Sequence, residues 1–392
     1  MISHFARSLS LAAATLMLLG CGKSAPTGQN ASADLVVRIG ASAPLTGPQA
    51  HLGKDNENGA RMAIDEANAR GIDIGGRKVH FELISEDDQA DPKSATIVAQ
   101  KLADDKVSGV IGHMNSGTSI PAEKIYSDNG IPQISPSATA VAYTAQGFKT
   151  AFRVMANDAQ QGHVLGEYAA KNLGAKNIAV IDDRTAYGQG LADEFIKAAQ
   201  ASGAQIVARE YTNDKAMDFT AVLTAVKSKK PDLLFYGGMD AQGGPMAKQL
   251  RALQLDAKFM TGDGSKTPEF IKLAGAAAEG AYASLPGVPL DKMPGGKAFS
   301  ERFVAKYQPI QLYAPYCYDA VNVMIAAMQK AGSADPEKYL AALANISYDG
   351  VTARIQFDAK GDLKNGAITV YQVQHGTWQP LYTMAANSAA AH

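Results

Sequence analysis

The fold of this chain is decided by residues 107–139, VSGVIGHMNSGTSIPAEKIYSDNGIPQISPSAT. Two short apolar runs, at residues 107–112 and 131–134, are each followed by a loop rich in Ser, Thr or Gly, and a helical pattern follows the first loop. These runs are predicted to be neighbouring buried strands, whose loops meet at one edge of a parallel sheet. Hydroxyls and free backbone amides at such an edge bind anions, although Ser and Thr before a helix also act simply as N-caps.

The N-terminal residues predict export from the cytoplasm. Residues 1–20 carry one arginine, Arg7, and an apolar run too short to span a bilayer. The sequence Leu-Leu-Gly-Cys at residues 18–21 resembles the lipobox of bacterial lipoproteins. That resemblance implies cleavage before Cys21 and acylation of Cys21, which anchors the mature chain to a membrane from outside the cytoplasm. Residues 21–34 are rich in Ser, Pro, Gly and Asn, and are predicted to be a flexible tether.

Composition excludes several classes of function. The 392 residues include 37 basic and 38 acidic side chains with no basic block, which disfavours nucleic-acid binding. The sequence contains no Cys/His cluster that would predict a metal site, and no cofactor is expected. Besides Cys21, the single remaining cysteine is Cys317, which lies in an apolar helical stripe and is predicted to be buried.

Strands and helices alternate along nearly the whole chain, which predicts an α/β fold with two doubly wound parallel-sheet domains. Asp-Pro pairs predict helix starts at Pro92 and Pro336, and the spacing of Asp158 and Gln161 predicts a capping box. Residues 353–357 and 367–374 are predicted to be the last two strands, and residues 385–392 a disordered tail.

Asp263 is the acidic residue best placed for binding in the second domain. It follows a predicted strand and has glycine on both sides, so that the backbone can approach a ligand closely. A plain turn would also explain Gly-Asp-Gly. A carboxylate that faces a helix N-terminus across a cleft suits a ligand with both an ammonium and a carboxylate, such as a free amino acid.

Catalytic classes fit the sequence poorly. His113 and Ser116 could be a base and a nucleophile, but the Gly-x-Ser-x-Gly elbow is missing. Residues 188–190 lack the third glycine of a dinucleotide motif, and residues 262–267 lack the Walker spacing. The chain is therefore predicted not to be an enzyme.

Motifs spread over the mature chain resemble those of the periplasmic leucine/isoleucine/valine-binding proteins, the amino-acid receptors of ABC importers. They are Gly47-Pro, Asp87-Asp, Asp91-Pro-Lys, Ile111-Gly-His, Gly130-Ile, Ser135-Pro with Ala138-Thr139, Tyr187-Gly, Gly190-Leu-Ala, Tyr236-Gly-Gly and Lys360-Gly-Asp-Leu-Lys364. The resemblance implies the type I periplasmic binding fold, with two lobes joined by three hinge crossings. The first lobe would contain residues 35–155 and 285–351, and the second residues 156–284 and 352–384.

The resemblance also implies ligand-binding residues. Ser116, Ser137 and Thr139 would bind the ligand carboxylate, Asp263 would bind the ammonium, and Tyr187 would cover the ligand. The side-chain pocket would include three further residues, namely Leu52, Ala138 and Met239.

Some positions depart from the family pattern. Leu52 and Met239 stand where the branched-chain receptors have tyrosines. The resemblance therefore implies an amino-acid ligand but does not specify leucine. The family's disulfide is missing, with Ala90 and Asn115 at its two positions.

The function implied is that of a monomeric, lipid-anchored periplasmic receptor that binds a small aliphatic or branched-chain amino acid. It would pass this ligand to an ABC permease in the inner membrane. A sensor of the same fold for small amides or carboxylates, which signals to a partner, is the alternative.

Overall fold

The computed structural model describes residues 34–384, in which strands alternate with helices. The predicted signal peptide, Cys21 and its tether up to residue 33, and the predicted tail at residues 385–392 lie outside the described residues. The strands are β1 Leu35–Ala43, β2 Asp73–Ile74, β3 Arg77–Asp87, β4 Val110–Gly112, β5 Gln133–Ser135, β6 Ala151–Arg153, β7 Asn177–Asp182, β8 Gln205–Tyr211, β9 Leu233–Gly237, β10 Lys258–Thr261, β11 Tyr282–Pro286, β12 Tyr348–Asp349, β13 Arg354–Ile355, β14 Ile368–Gln374 and β15 Thr377–Met384.

Helices connect most of these strands. They are α1 Ala50–Arg70, α2 Pro92–Asp104, α3 Ser116–Asp128, α4 Val141–Ala145, α5 Asp158–Glu167, α6 Ala186–Ala201, α7 Thr220–Lys227, α8 Asp240–Ala252, α9 Pro268–Ala274, α10 Gly296–Lys306, α11 Ala314–Ala331 and α12 Pro336–Ala344. Both predicted Asp-Pro starts are present: Asp91 caps α2 by accepting from the Ser94 amide, and Asp335 caps α12 by accepting from the Glu337 amide. No helix within residues 34–384 is long and apolar enough to cross a membrane.

Two large sheets form the framework. One has six strands in the order β2-β3-β1-β4-β5-β6, and the other has seven in the order β15-β14-β11-β10-β9-β7-β8. The pairs from β3 to β6 and from β8 to β11 are parallel, while β2, β14 and β15 add antiparallel edges. The predicted α/β class is therefore confirmed. The predicted lobe boundaries stay predictions, although the first sheet ends at β6 and the second begins at β7.

Three local predictions differ from the structure. The second sheet ends with β15, which the sequence analysis missed because Pro380 interrupts its pattern. The strand predicted at residues 353–357 is reduced to the two residues of β13. The capping box of α5 is formed by Asn157 and Gln160, one residue earlier than predicted, and this frees Asp158 and Gln161 for other contacts.

Helix α11 belongs to the core around the first sheet. Cys317 is buried on it, as predicted, and burial raises the pKa of the thiol above its usual range. The thiol is therefore a poor nucleophile at neutral pH.

Candidate functional site

The loops at the carboxyl ends of the two sheets face each other across a closed cleft. The cavity between them has a volume of about 10 Å³, which is room for about one water molecule. Loops that follow β4 and β5 supply part of its wall, loops that follow β7, β9 and β10 supply another part, and one residue precedes α11. The lining residues are Met114, Asn115, Ser116, Ser137, Tyr187, Met239, Asp263 and Tyr313.

The two hydroxyl-rich loops are joined to each other. Ser116 is the first residue of α3, and its Oγ accepts a hydrogen bond from the Ala140 amide at 3.1 Å. Ser137 Oγ donates to the Met114 carbonyl at 2.9 Å. This side of the cavity therefore combines the N-terminus of a 13-residue helix with two buried hydroxyls, an arrangement that favours a negatively charged group.

A buried guanidinium fixes the shape of the second loop. Arg153 donates to the carbonyls of Ala138 and Ala140 at 2.8 and 3.0 Å, and to Thr144 Oγ1 at 2.7 Å. It also forms an ion pair with Asp362 at 2.5 Å. Because the charge of Arg153 is used in this ion pair and by loop carbonyls, it holds the loop in place without lining the cavity.

Asp263 faces the hydroxyl-rich loops from the second sheet. Its carboxylate accepts hydrogen bonds from Tyr187 Oη at 2.8 Å, Gln161 Nε2 at 2.9 Å and Tyr313 Oη at 2.7 Å. Burial raises the pKa of Asp263, and these three bonds oppose that rise. All three donors are neutral, and no ion pair within residues 34–384 compensates the charge of this buried carboxylate.

A second buried carboxylate lies beside the first. Burial, and next the negative charge of Asp263, raise the pKa of Asp158 to about 7, while the neighbouring side chains of Thr139, Gln161 and Arg153 lower it. Gln161 Nε2 lies 3.1 Å from Asp158 Oδ1 and thus bridges the two acids. Two carboxylates so close in a dry site favour a positively charged group between the sheets.

The structure brings five of the predicted site residues to the cavity: Ser116, Ser137, Tyr187, Met239 and Asp263. Leu52, Ala138 and Thr139 are buried but do not line the cavity. The binding roles of all eight stay predictions.

Sequence reasoning missed Tyr313, which lines the cavity, and also Gln161 and Asp158, which are hydrogen-bonded to Asp263 directly or through Gln161. The last two were present in the sequence pattern but were assigned to helix capping. Tyr313 precedes an apolar helix and gave no signal of its own.

The family model described as periplasmic binding protein matches residues 36–377. The chain belongs to this family. The chain is similar to the "Leucine-, isoleucine-, valine-, threonine-, and alanine-binding protein" of Pseudomonas aeruginosa, with 37% identity over 337 residues, 86% of this chain and 89% of that protein. A solute-binding role follows from this membership.

Solved structures agree with the family. The leucine-binding protein LivK of Thermotoga maritima superposes with a TM-score of 0.83 at 28% identity, and the comparison covers 90% of this chain and 99% of that one. The branched-chain amino-acid binding protein LivJ of Streptococcus pneumoniae, in complex with isoleucine, gives a TM-score of 0.80 at 27% identity, covering 89% and 99%. The predicted type I periplasmic binding fold is confirmed.

In this periplasmic binding protein, an ion pair between His51 and Asp240 joins the two sides of the cleft. His51 Nε2 of α1 lies 2.7 Å from Asp240 Oδ2 at the start of α8. Thr267 Oγ1 donates to the same Asp240 oxygen at 2.6 Å. Burial lowers the pKa of His51. The hydrogen bond and charge of Asp240, the charge of Glu269 and the Pro48 carbonyl together raise it by more, so the net shift of the pKa is upward.

We expect this pair to make the stability of the closed protein depend on pH. A raised pKa means that the stabilisation is fully present below the ordinary imidazole pKa of 6.5 and is lost as the pH rises through the raised value. The melting temperature should fall by about 2 °C more in the wild type than in His51→Gln between about pH 6 and pH 9. His163→Gln is the control, because His163 pairs with Glu167 on the exposed face of α5. Equal pH slopes in the wild type and His51→Gln would contradict a role for the pair.

Proposed function

We propose that this chain is the solute receptor of an ABC importer and that it binds a small aliphatic amino acid, including branched-chain ones, in the cleft. The observation that carries the proposal is the charge pattern of the cavity. Two neighbouring buried acids, of which Asp263 has no ion-pair partner within residues 34–384, lie opposite a helix N-terminus with hydroxyls. Such a cavity complements the ammonium and the carboxylate of a zwitterion at the same time.

The size of the cavity implies movement. Room for about one water is too little for any amino acid, so ligand entry requires the two sheets to separate and close again. Tyr187 and Tyr313 both donate to Asp263 in the closed cleft, and an ammonium group would compete with these donors for the same oxygens. The names of the relatives, which include leucine-, isoleucine-, valine-, threonine- and alanine-binding proteins, support an amino-acid ligand.

Further parts of the proposal concern location and chemistry. We assign the mature chain to the periplasm, with a lipid anchor at Cys21 and an inner-membrane permease as its partner, and we expect a monomer. We assign no catalytic step to His113, because its Nδ1 lies 2.7 Å from Asp88 Oδ2 and its Nε2 lies 3.0 Å from Tyr126 Oη. Both ring nitrogens are thus engaged in a buried network away from Ser116.

The proposal is tested by a thermal-shift screen against L-amino acids, 4-aminobutyrate, small amides and simple carboxylates, with calorimetry for each hit. Specific binding raises the melting temperature by mass action. Shifts with a group of aliphatic L-amino acids support the proposal. Shifts confined to carboxylates or amides without an amine would overturn it.

Ser116→Ala is expected to weaken binding of the amino acid about tenfold. The substitution removes one hydroxyl from the carboxylate side but leaves the backbone amides of α3 in place, so the loss is partial. Calorimetric titration measures it, with Ser127→Ala as the control, since Ser127 lies near the other end of the same helix. An affinity equal to that of the wild type would remove Ser116 from the site.

A further inference from the structure

A second cavity lies apart from the cleft and has no residue in common with it. Its volume is about 470 Å³. One wall is the segment that leads into α10, and the other is the edge of the second sheet, where Tyr371 on β14 and Trp378 and Pro380 on β15 supply apolar surface. Lys266 reaches this cavity from the turn that follows Asp263.

Lys266 is a cation without a counterion. Its Nζ lies 4.4 Å from the centre of the Tyr371 ring, and its amide donates to the Asp263 carbonyl at 2.9 Å. Burial lowers the pKa of the ammonium to about 8, and no carboxylate offsets this effect. Among residues 34–384, no ion pair or side-chain hydrogen bond satisfies this ammonium.

The other charges of the cavity lie at its rim. Asp291, Lys297 and Glu301 are exposed, and Asp291 lies 3.5 Å from Lys292. Counted with Lys292, these rim charges are two acidic and two basic and sum to zero, so Lys266 supplies the remaining charge of the cavity. An apolar chamber with one unpaired ammonium at its wall has the form of a site for an amphipathic anion.

We propose that this cavity is a second ligand site, which binds an organic carboxylate with an apolar or aromatic body. The carboxylate pairs with Lys266, and the body packs against Tyr371 and Trp378. The site is distinct from the amino-acid cleft and does not depend on the ligand of that cleft.

The pairing explains why such a ligand is favoured. A partly buried ammonium without a carboxylate partner is destabilised, and a carboxylate at hydrogen-bond distance removes that cost while its own desolvation is repaid by the pair. A neutral amide of the same shape gains only the apolar contacts. Affinity for the carboxylate should decline as the pH rises above about 8, because Lys266 then loses its proton.

The single tryptophan of the chain is Trp378, so intrinsic fluorescence reports directly on this cavity. The full chain is titrated with 4-phenylbutyrate and, separately, with 4-phenylbutyramide. We expect a saturable change with the carboxylate and an affinity at least about tenfold lower for the amide. No saturable change with the carboxylate, or equal affinities for the two probes, would overturn the proposal.

Two lysine variants locate the site. Lys266→Met keeps the length of the side chain and removes its charge, and it should weaken 4-phenylbutyrate binding about tenfold while amino-acid binding in the cleft stays unchanged. Lys297→Met changes an exposed lysine at the rim and should alter the affinity by less than about threefold. Because Lys266→Met removes an unpaired and partly buried charge, the melting temperature of this variant should equal or exceed that of the wild type, which excludes misfolding as the cause. Equal effects of the two variants would contradict the site.

Discussion

Asp263→Asn is expected to abolish high-affinity binding of the amino acid, with a loss of about a hundredfold or more. The asparagine has the same shape but lacks the charge that pairs with the ammonium of the ligand, and leaving one partner of a buried ion pair alone costs about 3 to 5 kcal/mol. Its amide nitrogen also cannot accept from one of the tyrosine hydroxyls that Asp263 now binds. Isothermal calorimetry with the best ligand of the screen measures the effect.

Folding is controlled separately in this experiment. Burial raises the pKa of Asp263, so the neutral asparagine should not lower the melting temperature by more than about 2 °C. Asp214→Asn is the matched control: Asp214 lines a cavity of about 390 Å³ that adjoins the cleft, and its loss should change affinity less than about threefold. Unchanged affinity in Asp263→Asn, or equal losses in both variants, would contradict the assigned role.

The parallel order of the strands made much of the cavity predictable. Ser116, Tyr187 and Asp263 lie far apart in sequence, yet each follows a strand, and the carboxyl ends of parallel strands meet at one edge. Strand and loop patterns are local in sequence, and therefore a single chain reveals them. Ser137 and Met239, which the family resemblance implied, also follow strands and line the cavity.

The contacts that the sequence did not predict are those set by packing between distant segments. Tyr313 precedes a helix some fifty residues after Asp263, and only the fold brings its hydroxyl to that carboxylate. Gln161 was assigned to the capping box of α5, but the box is formed one residue earlier, by Asn157 and Gln160. That shift of one residue turns the Gln161 side chain toward Asp263. Lys266 was visible in a glycine-rich turn, but its isolation from carboxylates depends on which side chains surround it.

The position of Tyr313 depends on a buried carboxylate of α1. Asp55 accepts four backbone hydrogen bonds, from the amides of Gln311, Leu312, Tyr313 and Ala314, at distances of 2.7 to 2.9 Å. Helix α11 has no side-chain cap of its own, so Asp55 supplies the acceptor for its N-terminus from outside. Burial raises the pKa of Asp55, while the four amides oppose that rise.

Asp55→Ala is therefore expected to lower the free energy of unfolding by about 3 kcal/mol, since it leaves four amides without their acceptor. Urea unfolding measures this loss. The control is Asp65→Ala on the same helix, where the carboxylate is half-exposed and pairs with Lys306, so its loss should cost less than about 1 kcal/mol. Asp55→Ala should also weaken amino-acid binding more than Tyr313→Phe does. The loss of Asp55 displaces the backbone of residues 311–314, whereas Tyr313→Phe removes a single hydroxyl and leaves that backbone in place. Equal unfolding free energies for the two aspartate variants would show that α11 does not need this acceptor, and the link from Asp55 through Tyr313 to Asp263 would fail with it.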